Sequence, residues 1–493
     1  MPKLSGKPME YDIIVAGGGV AGLTTAIAAA KYSKQNLRIL VVDRNSRDEV
    51  GKKSPNGWIC GDAVSKRSLE YATSNSGVVY SEPEIEHRVK GVLLFSPDHE
   101  ISVLFEGEGY LLNRRLFAKK QMLEAEKLGV EFLFNTTITG LLTDNNRVVG
   151  VVGRDMHTNA KFTVQCKLVV DATGAASRLR ANLPVKSKVE REIDRDDLEA
   201  TGRYIYTFTP KKDDRTYFDS EYCLIHLDQD LAPGGYCWTF PKGVNKVNIG
   251  LGVQKRALDE RNRRLGRSDT LQSLIDKYVK SNSVLGEPKL SQAANDQGNT
   301  FGNWQVPVRR QNECLVANGY ALVGDAAWMP RPIDAGGIGP SLYGGTILAK
   351  VAVEAVEASD TSEEGLWRYN LEYMGLYGYQ MASFEVLRRY LQTLPNDDIN
   401  YGMKHFLSKD DIEHITRREH PEFNKIQLFN PAMWLRIMQK PKLAKGLKTV
   451  SETSRRLIDH NLNYPEKPSK FYEWQKELQT LLYQAYKELG LVR

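Results

Sequence analysis

The sequence predicts an α/β protein in three parts: a parallel sheet with helices assembled from distant segments, an antiparallel sheet inserted into it, and a helical C-terminal region. Three observations predict it. Apolar runs of strand length at 11–16 (YDIIVA), 167–171 (KLVVD) and 320–323 (YALV) each deliver the chain into a glycine-bearing turn. Short alternating segments fill 203–252, the pattern of antiparallel strands. From about residue 360 the pattern is mostly helical, with aromatic and charged residues mixed. The parallel-sheet domain is expected over 1–75, 106–182 and 300–358. The inserted domain takes 76–105 and 183–299, and the helical region 359–493.

The elements follow in order. Residues 11–44 read as strand, glycine turn, helix and a second strand, LRILVVDR. Residues 114–130 form a charged amphipathic helix, after which VEFLFNTTITG resumes β structure. The small and apolar residues after Gly336 read as a further helix. The uncharged run 13–30 is nearly long enough to cross a bilayer, but Gly17–Gly19 interrupt it, so strand, turn and helix is the better reading. The first residues have no apolar core of a signal peptide.

Composition narrows the function. Of 493 residues 41% are hydrophobic, enough for a sizeable core and too many for a disordered chain. A net charge of +6 is too small at this length to argue for nucleic acid, and no nucleic-acid motif is present. Five cysteines, Cys60, Cys166, Cys223, Cys237 and Cys314, form no CxxC pair. Neither a disulfide framework nor a zinc site is expected, and a reducing cytoplasm is the default. The eight histidines have no metal-site spacing.

GGGVAG places Gly17, Gly19 and Gly22 in GxGxxG spacing, directly after a strand and before a helix. Gly17 allows the tight turn, Gly19 admits a pyrophosphate to the backbone, and Gly22 lets helix and strand pack closely. Asp43 ends the next strand, where an acid binds a ribose hydroxyl. Two later strand ends, LVVDATGAASR and ALVGDAA followed by DAGGIGPS, deliver further glycines: Gly336, Gly337 and Gly339 before a helix, with Asp325 at the strand end. Together these favour FAD over a nicotinamide cofactor in a Rossmann-like domain. A second GxGxxG for NAD(P)H is lacking, so the expected electron donor is a diffusible small molecule or a ferredoxin-like protein partner.

GGGVAG, ICGDAVSK (59–66), the Arg114-x-x-Phe117 helix start, GDAA and above all PGGYCWTFP (233–241) resemble the archaeal geranylgeranyl reductase family. The family hallmark PxxYxWxFP falls on Pro233, Tyr236, Trp238, Phe240 and Pro241. NDDINYGMK (396–404) and LNYP near the end extend the resemblance over most of the chain. It implies a p-hydroxybenzoate hydroxylase-type flavoprotein fold and hydrogenation of the isoprenoid double bonds of membrane-lipid precursors. It places FAD contacts on Ala21, Asp43, Arg44, Cys60, Gly61, Ala63, Arg114, Ile138, Asp325, Gly337 and Ile338. The loop Arg331–Gly337 departs from the family's Asn-Pro and His-Gly-Gly-Gly-like run, and Trp328 is bulky; the loop is expected to border the flavin. A reductase of prenyl quinones or polyprenyl phosphates, a flavin monooxygenase or halogenase, and a non-catalytic prenyl-lipid carrier remain alternatives.

Tyr236, Trp238 and Phe240 sit two apart, so a strand turns all three to one face. Such a face ordinarily packs into a core. With the resemblance it is read as a flat wall for a prenyl chain. An isolated trisubstituted alkene is a poor hydride acceptor until protonated. Tyr236 and Trp238 are therefore candidates to face the developing cation, Phe240 to line the chain, and Cys60 to donate the proton, with Tyr236 or a water as rivals. Residues 433–448, MWLRIMQKPKLAKGLK, read either as a basic amphipathic patch for peripheral membrane contact or as a solvated helix.

Overall fold

The computed structural model describes residues 10–292, 297–406 and 438–492. Two sheets organise them. The first contains β1 (Glu10–Ala16), β2 (Ile39–Val42), β6 (Glu131–Leu133), β7 (Thr136–Asp144), β8 (Arg147–Asp155), β9 (Lys161–Asp171), β16 (Val316–Ala317) and β17 (Tyr320–Leu322). The second contains β3 (Ala63–Ser65), β4 (Ile85–Phe95), β5 (Ser102–Leu112), β10 (Leu198–Pro210), β11 (Tyr222–His226), β12 (Cys237–Pro241), β13 (Lys246–Gln254), β14 (Leu285–Leu290) and β15 (Gly302–Pro307).

In the first sheet β1 lies between β2 and β9, and all three run parallel. β17 extends the parallel set beside β9 and β6 extends it beside β2. Parallel strands covered on both faces read as unbroken apolar runs, as IIVA and ILVV do. The helices Val20–Tyr32 and Ile338–Glu357 pack against each other on this sheet. They approach closely because position 345 is glycine: a Cβ there would stand 2.9 Å from the Ala21 carbonyl oxygen. β7 and β8 add an antiparallel arm to β9.

The second sheet runs β14-β10-β13-β12-β11-β4-β5-β3. It is antiparallel except where β11 joins β4 in parallel, a long-range pairing that no local pattern announces. β5 crosses the expected domain boundary at residue 106, and β3 joins the same sheet from inside the segment 1–75.

The C-terminal helices Met381–Leu391, Pro441–Leu462 and Phe471–Glu488 pack in sequence. A buried charge cluster binds them to the second sheet. Asp197, next to β10, accepts from Arg388 Nη2 at 2.6 Å and from Arg389 Nη2 at 2.7 and 2.8 Å. Glu385 accepts from Arg310 at 2.9 Å.

No helix among the described residues is long and apolar enough to cross a membrane. The uncharged run 13–30 is the end of β1, the glycine turn and most of a helix. Of the basic stretch 433–448, residues 433–437 lie outside the described residues. Pro441 begins a new helix after a bend at Lys440 that follows helical residues 438–439, so the stretch is not one continuous helix.

Removing Asp197 leaves Arg388 buried without its carboxylate. The Asp197→Ala variant is expected to lose about 3–5 kcal/mol of stability, read by chemical denaturation. A loss below about 1 kcal/mol, the level of an exposed pair, would refute this role.

Candidate active site

The glycine turn is built around an opening. Gly17 has φ +110°, and a Cβ there would sit 2.4 Å from the Ala172 carbonyl oxygen. A Cβ at Gly22 would lie 2.0 Å from Gly17 O. A Cβ at Gly19 meets nothing within 4 Å. Gly19 also caps the helix Val20–Tyr32 without a side-chain hydrogen bond, which leaves first-turn N–H groups for a ligand. The sequence reading missed Gly18. Its N–H donates to Asp43 Oδ2 at 2.7 Å, and a side chain there would strike that carboxylate. Asn45 N donates to Asp43 Oδ1 at 2.7 Å. Burial pushes the Asp43 carboxyl up, while these N–H groups pull it down. Each oxygen keeps a lone pair for a further donor.

The turn opens into a cavity of about 1680 Å³. Every residue expected to touch the cofactor lines it except Gly22, which packs behind the turn. Gly337 caps the helix Ile338–Glu357 close to Asp325 in space: a Cβ on it would lie 3.4 Å from Asp325 Oδ1. Lys53 Nζ is 3.7 Å from Asp325 Oδ2. These residues fit FAD: an unobstructed glycine cradle, a helix N-terminus and a buried acid share one volume.

The same cavity reaches the aromatic residues Tyr236, Trp238 and Phe240. Their ring centroids are spaced 6.2 Å and 6.2 Å apart. The expected flat wall is not what forms. β12 begins at Cys237, so Tyr236 stands before the strand, and successive rings tilt by 60° and 36°. Their polar handles are occupied: Tyr236 Oη donates to Asp334 O at 2.5 Å and Trp238 Nε1 to Asn248 Oδ1 at 3.0 Å. Phe240 lies over Gly61, where a Cβ would be 3.2 Å from its ring.

Behind the rings is a buried polar hub that the sequence reading also missed. Asp62, fully buried with φ +70°, accepts through Oδ2 from Lys242 at 2.9 Å, Asn248 at 2.9 Å and Gln297 at 2.7 Å. Lys242 also meets Glu86 at 2.7 Å. Burial raises the Glu86 carboxyl, but Lys242 and Lys246 hold it below the ordinary range. Asn248 donates to Cys60 O at 2.8 Å, and Arg114 Nη1 donates to Cys60 Sγ at 3.0 Å. Lys242 directly follows the hallmark Pro241, a signal that was available; the other partners come from distant segments.

Trp328, just before the loop, does not border the cavity. It is fully buried, with the guanidinium groups of Arg180 and Arg309 stacked 4.6 and 4.5 Å from its ring centroid. Its neighbours Pro330, Arg331 and Ile333–Gly337 do line the cavity.

Residues 197–287 match the Geranylgeranyl reductase catalytic domain, and residues 10–200 match an FAD binding domain. A digeranylgeranylglycerophospholipid reductase of Sulfolobus acidocaldarius is 33% identical over 98% of this chain and 100% of its own. The chain belongs to the geranylgeranyl reductase family. It is an FAD-dependent oxidoreductase acting on C=C bonds. A relative of the same description from Methanothrix thermoacetophila is 28% identical over 83% of this chain and 94% of its own. Two solved structures share the fold. A geranylgeranyl bacteriochlorophyll reductase-like protein of Thermoplasma acidophilum has TM-score 0.69 and 24% identity, covering 90% of this chain and 99% of its own. A myxobacterial chondrochloren halogenase has TM-score 0.63 and 17% identity, covering 92% and 97%.

Two glycines of the turn separate binding from folding. Gly19→Val fills only open cavity, so its melting temperature without FAD should hold while FAD affinity falls at least about tenfold, about 1.4 kcal/mol. Gly22→Val should lose about 1–3 kcal/mol of stability by overpacking. FAD titration and thermal melts check both; unchanged FAD affinity in Gly19→Val would refute the cradle.

Proposed function

We propose that this reductase hydrogenates the C=C bonds of geranylgeranyl chains on archaeal ether-lipid precursors. The observation that carries this reading is the continuity of one cavity. It begins at the glycine cradle, passes Cys60, Tyr236 and Trp238, and continues between the C-terminal helices along Phe384, Leu387, Leu391, Met403, Leu443 and Leu447. A polar dinucleotide fits the first part and a long apolar chain the last.

In this reading FAD is held by Gly17, Gly19, Ala21, Asp43, Arg44, Cys60, Gly61, Ala63, Arg114, Ile138, Asp325, Gly337 and Ile338. Bound and reduced, it supplies the hydride. The chain's own residues do the rest. Phe240 and the helices bury the isoprenoid and exclude water that would trap a carbocation. Tyr236 and Trp238, their polar ends tied to Asp334 and Asn248, present ring faces to the alkene. Arg114 fixes the Cys60 side chain at the junction between the two compartments. The proposed electron donor is a small molecule or a ferredoxin-like protein. The proposed route for the lipid is a peripheral membrane contact near the helix Pro441–Leu462, which turns Leu443 and Val450 inward and carries Lys442, Lys445 and Lys448 on its outer side.

Anaerobic incubation with dithionite-reduced FAD and a geranylgeranylated glycerophospholipid should yield a ladder of added hydrogen pairs by mass spectrometry. An unchanged lipid with reduced flavin bound would remove the assignment. Substrate-coupled oxygen consumption would point instead to the halogenase or monooxygenase chemistry of the same fold. Trp238→Leu should slow turnover about 2- to 30-fold, equivalent to about 0.5–2 kcal/mol, with FAD affinity unchanged. Full activity in that variant would end the ring's proposed role.

A further inference from the structure

The sheet face that carries the rings also carries an acid. β10 lies against β13, with Thr201 opposite Gly252 and Arg203 opposite Gly250. On the other side of β13, Trp238 stands opposite Gly250, and Gly252 N donates to Tyr236 O at 3.0 Å. Residues opposite one another share a face, and so do residues two apart. Glu199, Thr201 and Arg203 therefore share the face of Tyr236 and Trp238. Only two glycines separate the rows. A Cβ on Gly252 would stand 3.3 Å from Glu199 Oε2, and one on Gly250 2.6 Å from Trp238 Cζ2. Glu199 lines the same cavity as Cys60, Tyr236 and Trp238.

The two oxygens of this carboxyl differ. Gln392 Nε2 donates to Oε1 at 3.2 Å. The Gln392 carbonyl oxygen accepts from Arg388 Nη1 at 3.0 Å, which fixes the amide with its nitrogen toward Glu199. An acidic proton therefore belongs on Oε2, the oxygen over the glycine trough. The groups around Glu199 leave it room to carry that proton. Arg388, on the helix Met381–Leu391, is paired with Asp197 at 2.6 Å. Arg331 and Asp334, across the cavity, pair with each other. Gln254 on β13 bonds to Asp196 O and Ala257 N, and Val306 on β15 is apolar. Burial pushes the Glu199 carboxyl up to about 7, with Arg388 opposing only in part. Of the rival donors, the Tyr236 hydroxyl is already engaged, donating to Asp334 O.

We propose that Glu199 is the catalytic acid that protonates the substrate alkene. The assignment rests on the reductase reading above and extends it. The Oε2–H bond breaks and a C–H bond forms at one alkene carbon. The other carbon, left electron-poor beside Tyr236 and Trp238, takes the hydride supplied by the reduced cofactor. One proton and one hydride saturate one double bond, and the Glu199 carboxylate regains its proton from water before the next.

The test uses the full-length holoenzyme, reduced with dithionite, and a geranylgeranylated glycerophospholipid. Glu199→Gln keeps the shape and the hydrogen-bond acceptor. It should lower kcat at least about 100-fold with KM and FAD affinity unchanged. The wild-type rate should fall as pH rises through about 7, and the residual rate of Glu199→Gln should lack that limb. A second readout needs no lipid. The infrared difference between wild type and Glu199→Gln should contain a protonated-carboxyl band that titrates away near pH 7. Unchanged kcat in the variant, a surviving alkaline limb, or absence of that band at pH 5 each overturns the assignment. A wild type that shows the band but leaves the lipid unreduced overturns the reductase reading, and the donor role with it.

Discussion

The arrangement of the site depends on a lysine ammonium buried between two carboxylates. The Lys242 and Asp62 side chains are fully buried, and that of Glu86 is 16% exposed. Withdrawing three charges from water costs several kcal/mol each before their attraction offsets it, so the group is stable only when every partner is in place. That requirement joins segments far apart in the chain. Asp62 fixes the loop bearing Cys60 and Gly61; Lys242 directly follows β12; Asn248 lies on β13; Gln297 carries the link on to Arg114 N at 2.6 Å. The loop at the cofactor side and the strand bearing the rings cannot shift independently without breaking this hub.

The same logic sets the orientation of the aromatic side chains. A buried Trp N–H or Tyr O–H seeks an acceptor, and one aimed into an apolar cavity would compete with the substrate chain. Here both are satisfied by the protein, through Asn248 and Asp334 O. What remains toward the cavity is ring surface. In the proposed reaction a cation formed there would meet ring faces rather than these polar atoms. Because Asn248 also bonds Asp62, the Trp238 orientation and the ion-pair hub form one network.

Much of this was legible in the sequence, and the reasons it stopped are physical. The glycine turn could be read because its chemistry is local: strand, three glycines and helix lie within one short segment, and each glycine has a steric task. The hallmark Pro233–Pro241 could be read because its residues are contiguous. Tyr236 was read as a strand residue because alternation alone fixes no strand boundary. Trp328 could be read only as bulky, because nothing local reveals that Arg180 and Arg309 enclose its ring. The parallel pairing of β4 with β11, the Asp62 hub and the placement of Glu199 all arise from long-range contact. A carboxylate's burial is a property of the folded sheet, and no pattern around LEAT in the sequence distinguishes Glu199 from an exposed acid.

The two glycines on β13 show how these levels join. In a strand, glycine gives up side-chain packing and conformational entropy. Gly250 and Gly252 do so in a strand whose other residues, Lys246 apart, are buried. A larger residue at Gly250 would collide with Gly202 O and Trp238, and one at Gly252 would press on Glu199 and Thr201. Their absence of side chains lets an aromatic row and an acidic residue occupy one face of one sheet without touching. Reduction of an alkene by proton and hydride needs those two environments side by side: an acid that stays protonated because it is dry, and a surface that accepts positive charge because it is aromatic. A sheet with side chains at both glycine positions would separate them by a wall.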